Sequence, residues 1–339
     1  MMPARPTATW ADRVNHDLPP SFYEPFDLEQ LYFAFRFLFA VDFWRFGAQL
    51  ISPLACLASY VDSMCPESQP RSRLDYLRLL RRLAFIGGKD VAFSLKYSFW
   101  VQLFPDTWWT CMNYGYCDLE TPNALSELEG VEADWRLALE LYRQTLLPRD
   151  LAGEDVLEVG SGRGGGAAYI ARHHRPRRVI AMDGTASNTA FCRSAHQLDN
   201  LSFVHGRAED LPFADGSFDA VVNVESCNYY RPLAAFLREV QRVLRAGGHL
   251  LLTTYEKPGF FMALQRECRA AGLTLERQRD VTANVHLALD AFDVAGLVMR
   301  QPTTRRKALY VEVLNEIYSV PLLRRGGARY MIFSFRKPT

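Results

Sequence analysis

The stretch LEVGSGRGGG, Leu157 to Gly166, lies near the middle of the 339-residue chain and carries the strongest local signal in it. Its glycines fit two spacings at once: the G-x-G-x-x-G of dinucleotide-binding turns, and an E-x-G-x-G-x-G that begins with Glu158. Glycine is needed in such a turn because it lets the backbone approach a ligand closely and adopt positive φ. The turn alone therefore leaves two classes of nucleotide-like ligand open.

The residues around this turn predict a parallel α/β sheet. Five short apolar runs, bounded by Gly, Asp or polar turns, are separated by helical patterns, and this alternation is typical of βαβ units with helices on both faces. The five predicted strands are DVLEVG (155–160), RRVIAMD (177–183), LSFVHG (201–206), FDAVVNVE (218–225) and HLLLTTYE (249–256).

Acidic side chains at the ends of these strands distinguish the two ligand classes. Asp183 ends the second run, where a carboxylate can accept hydrogen bonds from ribose hydroxyls of either ligand. Glu209 and Asp210 follow the third run in GRAEDLPF, where an acidic side chain can accept a hydrogen bond from the adenine amine. Glu158 suits the sulfonium and ammonium of S-adenosylmethionine (SAM) and would repel a pyrophosphate. These positions favour SAM.

The span from Asp155 to Tyr255 resembles the class I SAM-dependent methyltransferases in VLEVGSGRGGG, VIAMD, GRAEDLPF, FDAVVNVES and FLREVQRVLRAGGHLLLTT. The resemblance implies a Rossmann-like α/β fold with a seven-stranded sheet, and it makes Arg245 to Gly248 a turn into the fifth strand. MNYGY, RDVTANVHLALD and RRGGARYMIFSFRK are similar to lipid and small-molecule methyltransferases, namely the phthiotriol/phenolphthiotriol dimycocerosate and actinobacterial natural-product enzymes.

The resemblance also implies where the cofactor would be held. The glycine turn would lie at the methionine part of SAM, the second strand end at the ribose, and the AED loop at the adenine, while tyrosines of MNYGY would close over the cofactor. The predicted cofactor-binding residues are Tyr114, Glu158, Gly160, Ser161, Gly162, Gly164, Asp183, Gly184, Ala208, Glu209 and Asn223, with Tyr116 beside them.

The predicted catalytic residues are Glu225 and His286. Many relatives carry a histidine shortly after the fourth strand, but NVESCNYY, Asn223 to Tyr230, contains none. Glu225 is the local candidate for a base or for holding a cationic intermediate, and fixing the SAM loop is its structural alternative. His286 lies where relatives build a substrate lid. Arg207 replaces a common aspartate and would pair with a neighbouring carboxylate or reach an anionic substrate.

Net charge and amino-acid composition limit the classes of molecule that this protein is expected to bind. The net charge is +1, from 39 basic and 38 acidic side chains, which argues against a nucleic-acid partner and favours an apolar small molecule. Seven cysteines without a C-x-x-C pair predict free thiols, a cytoplasmic location and no metal site. The longest uncharged run, residues 46–61, is shorter than the roughly 20 residues of a spanning helix, so stable membrane insertion is not expected.

Two parts of the chain differ in amino-acid composition and in the spacing of their apolar residues. Residues 1–104 are rich in aromatic side chains at helical spacing and predict a helical extension, and residues 105–339 form the predicted methyltransferase domain. The apolar arc of the extension is wide, which favours a homo-oligomer, with a membrane-surface role or a cover over an apolar substrate as alternatives. A further helix is predicted from Asn123 to Leu147.

The predicted function is SAM-dependent methyl transfer to a hydroxyl or carbon of a largely apolar small molecule, in natural-product biosynthesis. One alternative is C-methylation of an isoprenoid, in which Glu225 and aromatic side chains would stabilise a carbocation. Another is a non-catalytic SAM-binding module, because the usual histidine is absent.

Overall fold

The structure, a computed structural model, describes residues 104–121, 124–147, 149–301, 307–319, 323 and 326–339. These residues belong to one unit of the chain, Phe104–Thr339. The predicted helical extension, residues 1–104, lies outside the described residues except for Phe104, and so does the homo-oligomer contact assigned to it. Both stay predictions.

Seven strands form the sheet of this unit. They are β1 (Asp155–Val159), β2 (Arg178–Asp183), β3 (Leu201–His205), β4 (Phe218–Val224), β5 (Leu244–Glu256), β6 (Thr274–Asp280) and β7 (Arg329–Arg336). The described helices are α1 (Gly130–Asp134), α2 (Arg136–Leu146), α3 (Gly165–His173), α4 (Ala186–Ala195), α5 (Leu233–Val243), α6 (Pro258–Ala270), α7 (Thr282–Ala291), α8 (Val294–Arg300) and α9 (Lys307–Ser319).

The strand order is β3-β2-β1-β4-β5-β7-β6, and β7 runs antiparallel to both of its neighbours. The pairs that join β3, β2, β1, β4 and β5 are all parallel. The order reverses between β1 and β4, and in open α/β sheets the ligand crevice lies at such a switch point, outside the carboxyl ends of the strands. The seven-stranded Rossmann-like sheet is confirmed, and its crevice is where a ligand is expected.

Burial explains why the central and edge strands have different compositions. Every residue of β1 is buried, and β4 is buried at six of its seven positions, because helices cover both faces of the sheet. At the edge, β6 has the sequence TLERQRD and is mostly exposed. Charged side chains on an edge strand discourage pairing with other chains. Four of the five apolar runs that predicted strands lie inside the sheet, and the fifth, β3, forms its other edge.

The structure corrects two local predictions. The helix predicted from Asn123 to Leu147 is two helices, α1 and α2, separated at Trp135, whose indole is buried and donates to the Trp108 carbonyl at 2.6 Å. The predicted turn Arg245 to Gly248 is instead the beginning of β5, because the Gly247 amide and the Gly248 carbonyl both bond to the backbone of Lys337.

No helix in the described part of the chain is long and apolar enough to cross a membrane.

Asp155 joins three arginines at the amino end of β1. Its side chain is fully buried and accepts hydrogen bonds from Arg177, from Arg178 at 3.1 Å and from Arg245 at 2.7 Å. Burial alone would raise the pKa of this carboxyl, but the hydrogen bonds from Arg177 and Arg245 and the charge of Arg178 hold it below its usual value. The ionised carboxylate thus ties β1 to the loop before β2 and to β5.

We expect Asp155→Asn to lower the free energy of unfolding near neutral pH by about 2 kcal/mol, because it weakens hydrogen bonds between charged groups. The folded-state pKa lies below the unfolded value of about 3.9, so this contribution is present above that pH and is lost as the pH falls through the folded pKa. Urea unfolding at neutral pH and near pH 3 measures it. Asp215→Asn, at an exposed position, is the control, and an equal loss in both variants would contradict the prediction.

Candidate active site

The glycine turn after β1 is shaped by backbone conformation and by close packing. Gly160, Gly162 and Gly164 have φ values of 82°, 55° and 79°, in the left-handed region that favours glycine. A Cβ at Gly160 would lie 2.2 Å from Ser226 Oγ, which follows β4. The turn can therefore press against the end of β4 only because glycine stands there.

Asn223, Ser226 and Tyr230 clamp the turn from the β4 side. The Asn223 amide nitrogen donates to the Val159 carbonyl and to Ser226 Oγ, both at 2.8 Å, and its oxygen accepts the Cys227 amide at 3.1 Å. Tyr230 donates to Ser226 Oγ at 2.9 Å. Both polar atoms of Asn223 are thus engaged within the protein, and a cofactor-binding role for it stays a prediction.

Asp183, at the end of β2, binds the same turn from the other side. Its carboxylate accepts the Gly162 amide at 2.8 Å, the Thr185 amide at 2.9 Å and the Asn188 side-chain nitrogen at 3.1 Å. Burial raises its pKa. Gly184 next to it is exposed. Because Asp183 accepts the Gly162 amide, the predicted ribose-binding position lies beside the glycine turn.

Glu158 is a fully buried carboxyl within β1, two residues before Gly160. Its Oε1 accepts a hydrogen bond from the Tyr142 hydroxyl at 2.6 Å, and no described residue hydrogen-bonds to its Oε2. Burial, with the nearby charge of Asp183, raises the pKa of Glu158 to about 7. Ser161 in the turn is also buried, and its amide donates to the Met182 carbonyl at 3.1 Å.

The AED loop after β3 carries the predicted adenine-binding residues. Ala208 is buried, and Glu209 accepts the Arg231 backbone amide at 3.1 Å. Arg207 lies 3.5 Å from the second oxygen of Glu209. Of the two roles considered for Arg207, the structure contains the pairing with a neighbouring carboxylate.

Glu225 stands directly after β4 and is the most unusual residue of the crevice. Its φ of 54° is rare for a residue with a side chain, and such strain occurs preferentially at functional sites. Its Oε1 accepts the Tyr114 amide at 2.8 Å and the Tyr330 hydroxyl. No described residue hydrogen-bonds to its Oε2. Burial raises the pKa of Glu225 to about 7.

A group of aromatic hydroxyls surrounds this carboxyl. The Tyr255 hydroxyl lies 3.3 Å from the hydroxyls of Tyr114 and Tyr229, and the rings of Tyr255 and Tyr330 stack at 5.9 Å. Tyr318 packs edge-on against the Tyr114 ring at 6.2 Å. We call these five residues the tyrosine cluster. They form an aromatic wall around a carboxyl at the carboxyl edge of the sheet.

His286, the second predicted catalytic residue, lies on α7. No hydrogen bond among the described residues joins it to Glu225 or to the tyrosine cluster, and its buried Nε2 has no hydrogen-bond partner there. A hydrogen bond joins Tyr114 to Glu225, whereas none of the described residues links His286 to either of them. Its catalytic role stays a prediction.

Sequence reasoning missed Arg163, which lies inside the glycine turn and is almost fully buried. Its guanidinium donates to the carbonyls of Phe104 and Trp109, and its charge lies 3.9 Å from the centre of the Phe191 ring. Burial lowers the pKa of Arg163 to about 10, so it stays charged. It anchors the segment that leads to Tyr114 onto the glycine turn.

The tyrosine cluster was missed as well, apart from Tyr114. Its members come from the NYY run after β4, the TYE end of β5, α9 and the RYM start of β7. A tyrosine at or just after the carboxyl end of a strand is a signal that could have found Tyr229 and Tyr255. No local signal marks Tyr318, on α9, or Tyr330, at the start of β7.

Comparison with known proteins agrees with this architecture. Residues 157–252 match the methyltransferase domain family. The fatty-acid O-methyltransferase of Mycolicibacterium smegmatis is 38% identical over 239 residues, which cover 67% of this chain and 83% of that protein. The chain therefore belongs to the class I SAM-dependent methyltransferases. Its membership of this family makes it an enzyme of that class.

A second relative is also a methyltransferase by name. The probable phthiotriol/phenolphthiotriol dimycocerosates methyltransferase 2 of Mycobacterium ulcerans is 39% identical over 199 residues, which cover 59% of this chain and 76% of that protein. Among solved structures, the cyclase SpnF aligns with a TM-score of 0.57 at 21% identity, over 74% of this chain and 96% of its own. At that identity the likeness concerns the fold alone.

We expect Gly166→Ala to lower the free energy of unfolding by about 2 kcal/mol, because overpacking forces its surroundings to shift. A Cβ there would lie 1.8 Å from the Tyr142 ring, whose hydroxyl holds Glu158. The matched control is Gly259→Ala, a helical glycine with open space around it, which we expect to be neutral or slightly stabilising. Thermal unfolding measures both, and equal midpoints would contradict the prediction.

Proposed function

We propose that this protein transfers a methyl group from SAM to a hydroxyl oxygen of a largely apolar small molecule, with Glu225 as the proton acceptor. The observation that carries the proposal is the state of the Glu225 carboxyl. One of its oxygens is fixed by Tyr114 and Tyr330, while none of the described residues bonds to the other. A carboxyl that is held at one oxygen and free at the other is oriented to take a proton.

The residues of the crevice fit SAM as the cofactor. The Glu158 oxygen that lacks a partner is a buried acceptor beside the glycine turn and suits an ammonium group. A Cβ at Gly162 would meet only Met112 Sδ, at 3.9 Å, which leaves room over this part of the turn. Gly160, Gly162 and Gly164 would hold the methionine part, Asp183 and Gly184 the ribose, and Ala208 and Glu209 the adenine.

Positioning accounts for most of the proposed chemistry, because the cofactor already carries an activated methyl group. When bound, SAM would supply a sulfonium methyl to the acceptor oxygen, with the C–S electron pair left on sulfur. The acceptor hydroxyl loses its proton to Glu225 Oε2. Tyr114 and Tyr330 hold the Glu225 carboxyl in place, and the aromatic wall excludes water from it.

The relatives support an apolar acceptor. Their names give a fatty acid and phthiotriol compounds as what they methylate, which are long-chain molecules. The tyrosine cluster and Phe292 supply apolar surface beside Glu225 in this chain. We therefore place the reaction in lipid-like or natural-product biosynthesis.

Two broader proposals accompany this one. We propose a cytoplasmic location, supported by five free cysteines in the described part of the chain, since thiols persist in reducing compartments. We also propose a homo-oligomer formed through residues 1–104, supported by their wide apolar helical pattern.

We expect Asp183→Asn to weaken SAM binding about tenfold or more. The Asp183 carboxylate fixes the glycine turn and would accept hydrogen bonds from the ribose hydroxyls, and an amide has one acceptor oxygen fewer and no charge. Isothermal titration with SAM measures the dissociation constant. Asp199→Asn, an exposed change in the loop before β3, is the control. Unchanged affinity in the Asp183 variant would remove Asp183 from the proposed site.

We expect Glu225→Gln to lower kcat about a hundredfold or more, because a general base contributes that much. The base must be ionised, so kcat of the native enzyme should fall as the pH drops through the pKa of Glu225, about 7, and the variant should lack this step. Transfer from methyl-labelled SAM to long-chain alcohols, alkylphenols and fatty acids measures it, and product NMR locates the methyl group.

Glu267→Gln, on the outer face of α6, is the control for this change and should keep native activity. Full activity in Glu225→Gln would exclude the proton-acceptor role. A methyl group found on carbon would favour the alkene alternative, and SAM binding without any methylated product would favour a non-catalytic module.

A further inference from the structure

Tyr318 differs from the other members of the tyrosine cluster in its hydrogen bonding. Tyr330 donates to Glu225, and the hydroxyls of Tyr114 and Tyr229 both lie next to that of Tyr255. The Tyr318 hydroxyl is buried, and none of the described residues lies within hydrogen-bonding distance of it. Its O–H group is thus an unused donor, and within the described residues it is the cluster hydroxyl that makes no hydrogen bond.

Packing fixes the position of this unused donor. The Tyr318 ring lies 4.5 Å from the Phe292 ring and 6.2 Å from the Tyr114 ring. Burial, with the nearby charges of Cys111 and Glu225, raises the pKa of Tyr318 well above its usual value. The phenol therefore keeps its proton and can donate a hydrogen bond to a group that enters the site.

A buried hydroxyl without a partner destabilises a folded protein, and such groups usually indicate a missing ligand or water. Glu225 Oε2, an acceptor, also lacks a partner among the described residues. Tyr114 links the two groups, because its amide bonds to the Glu225 carboxyl and its ring packs on Tyr318. Tyr318 also lies close enough to Glu225 for the carboxylate charge to raise the pKa of Tyr318, so an unused donor and an unused acceptor both adjoin Tyr114.

We propose that the Tyr318 hydroxyl and Glu225 Oε2 together bind the methyl-accepting hydroxyl, and that Tyr318 makes the site selective for a hydroxyl over a carboxylate or an unsubstituted hydrocarbon. A hydroxyl accepts from Tyr318 and donates to Glu225 at once. When Glu225 is ionised, above its pKa of about 7, a carboxylate has no proton to give it and would bring two like charges together. A hydrocarbon satisfies neither group. This inference rests on the proposed function of the same site.

The test compares how tightly three probes of similar shape bind to the full-length protein loaded with S-adenosylhomocysteine. Isothermal titration calorimetry measures each dissociation constant. The probes are para-hexylphenol, para-hexylbenzoate and hexylbenzene. We expect native protein to bind the phenol about tenfold more tightly than either of the others, because a site that hydrogen-bonds a hydroxyl rejects analogues that lack one. Tyr318→Phe should lose this preference by weakening phenol binding alone.

Tyr169→Phe is the matched control, since Tyr169 is a buried tyrosine on α3 that packs against His173 and should not affect the preference. Thermal unfolding distinguishes this binding role from a structural one, because loss of an internal hydrogen bond would lower the unfolding midpoint. Tyr318→Phe should keep or raise the midpoint, because it removes a buried hydroxyl that has no partner. A midpoint lowered by several degrees would show an internal partner and overturn the proposal.

Equal binding of the three probes by native protein, absence of phenol binding, or an unchanged preference in Tyr318→Phe would also overturn it. Failure of the proposed function has a different signature. In that case S-adenosylhomocysteine itself does not bind, or the hydroxyl probe binds with the expected preference and no methyl group is transferred to it from SAM.

Discussion

The contact between Gly160 and Ser226 is the constraint on which the rest of the site depends. It can form only because the residue after β1 has no Cβ, and it brings the glycine turn against the end of β4. Asn223 and Tyr230 then fix this approach with hydrogen bonds. The proposed cofactor position after β1 and the Glu225 carboxyl after β4 are adjacent for this reason.

Buried charged side chains take two forms in this fold. Asp155 and Arg163 are tied into hydrogen bonds with charged groups or carbonyls, so they serve as structural anchors. Glu158 and Glu225 each keep one oxygen without a partner among the described residues, and burial raises both pKa values to about 7. A fold tolerates such groups where binding a ligand can satisfy them.

Much of the fold and of the cofactor-side geometry was predictable because its signals are local. The glycine turn, the carboxylate ending β2 and the AED loop are each continuous in sequence and are placed by the strand that precedes them. The single helix predicted before β1 was wrong, because burial of Trp135 against Trp108 interrupts it. That interruption depends on a contact made after folding, which periodicity does not record.

The sequence by itself determined the α/β class, the methyltransferase family and Glu225 as a candidate, because strand patterns and motif spacing encode them locally. Only the tertiary structure decided which side chains surround Glu225. Tyr114, Tyr255, Tyr318 and Tyr330 come from separate parts of the chain and meet through sheet order and helix packing.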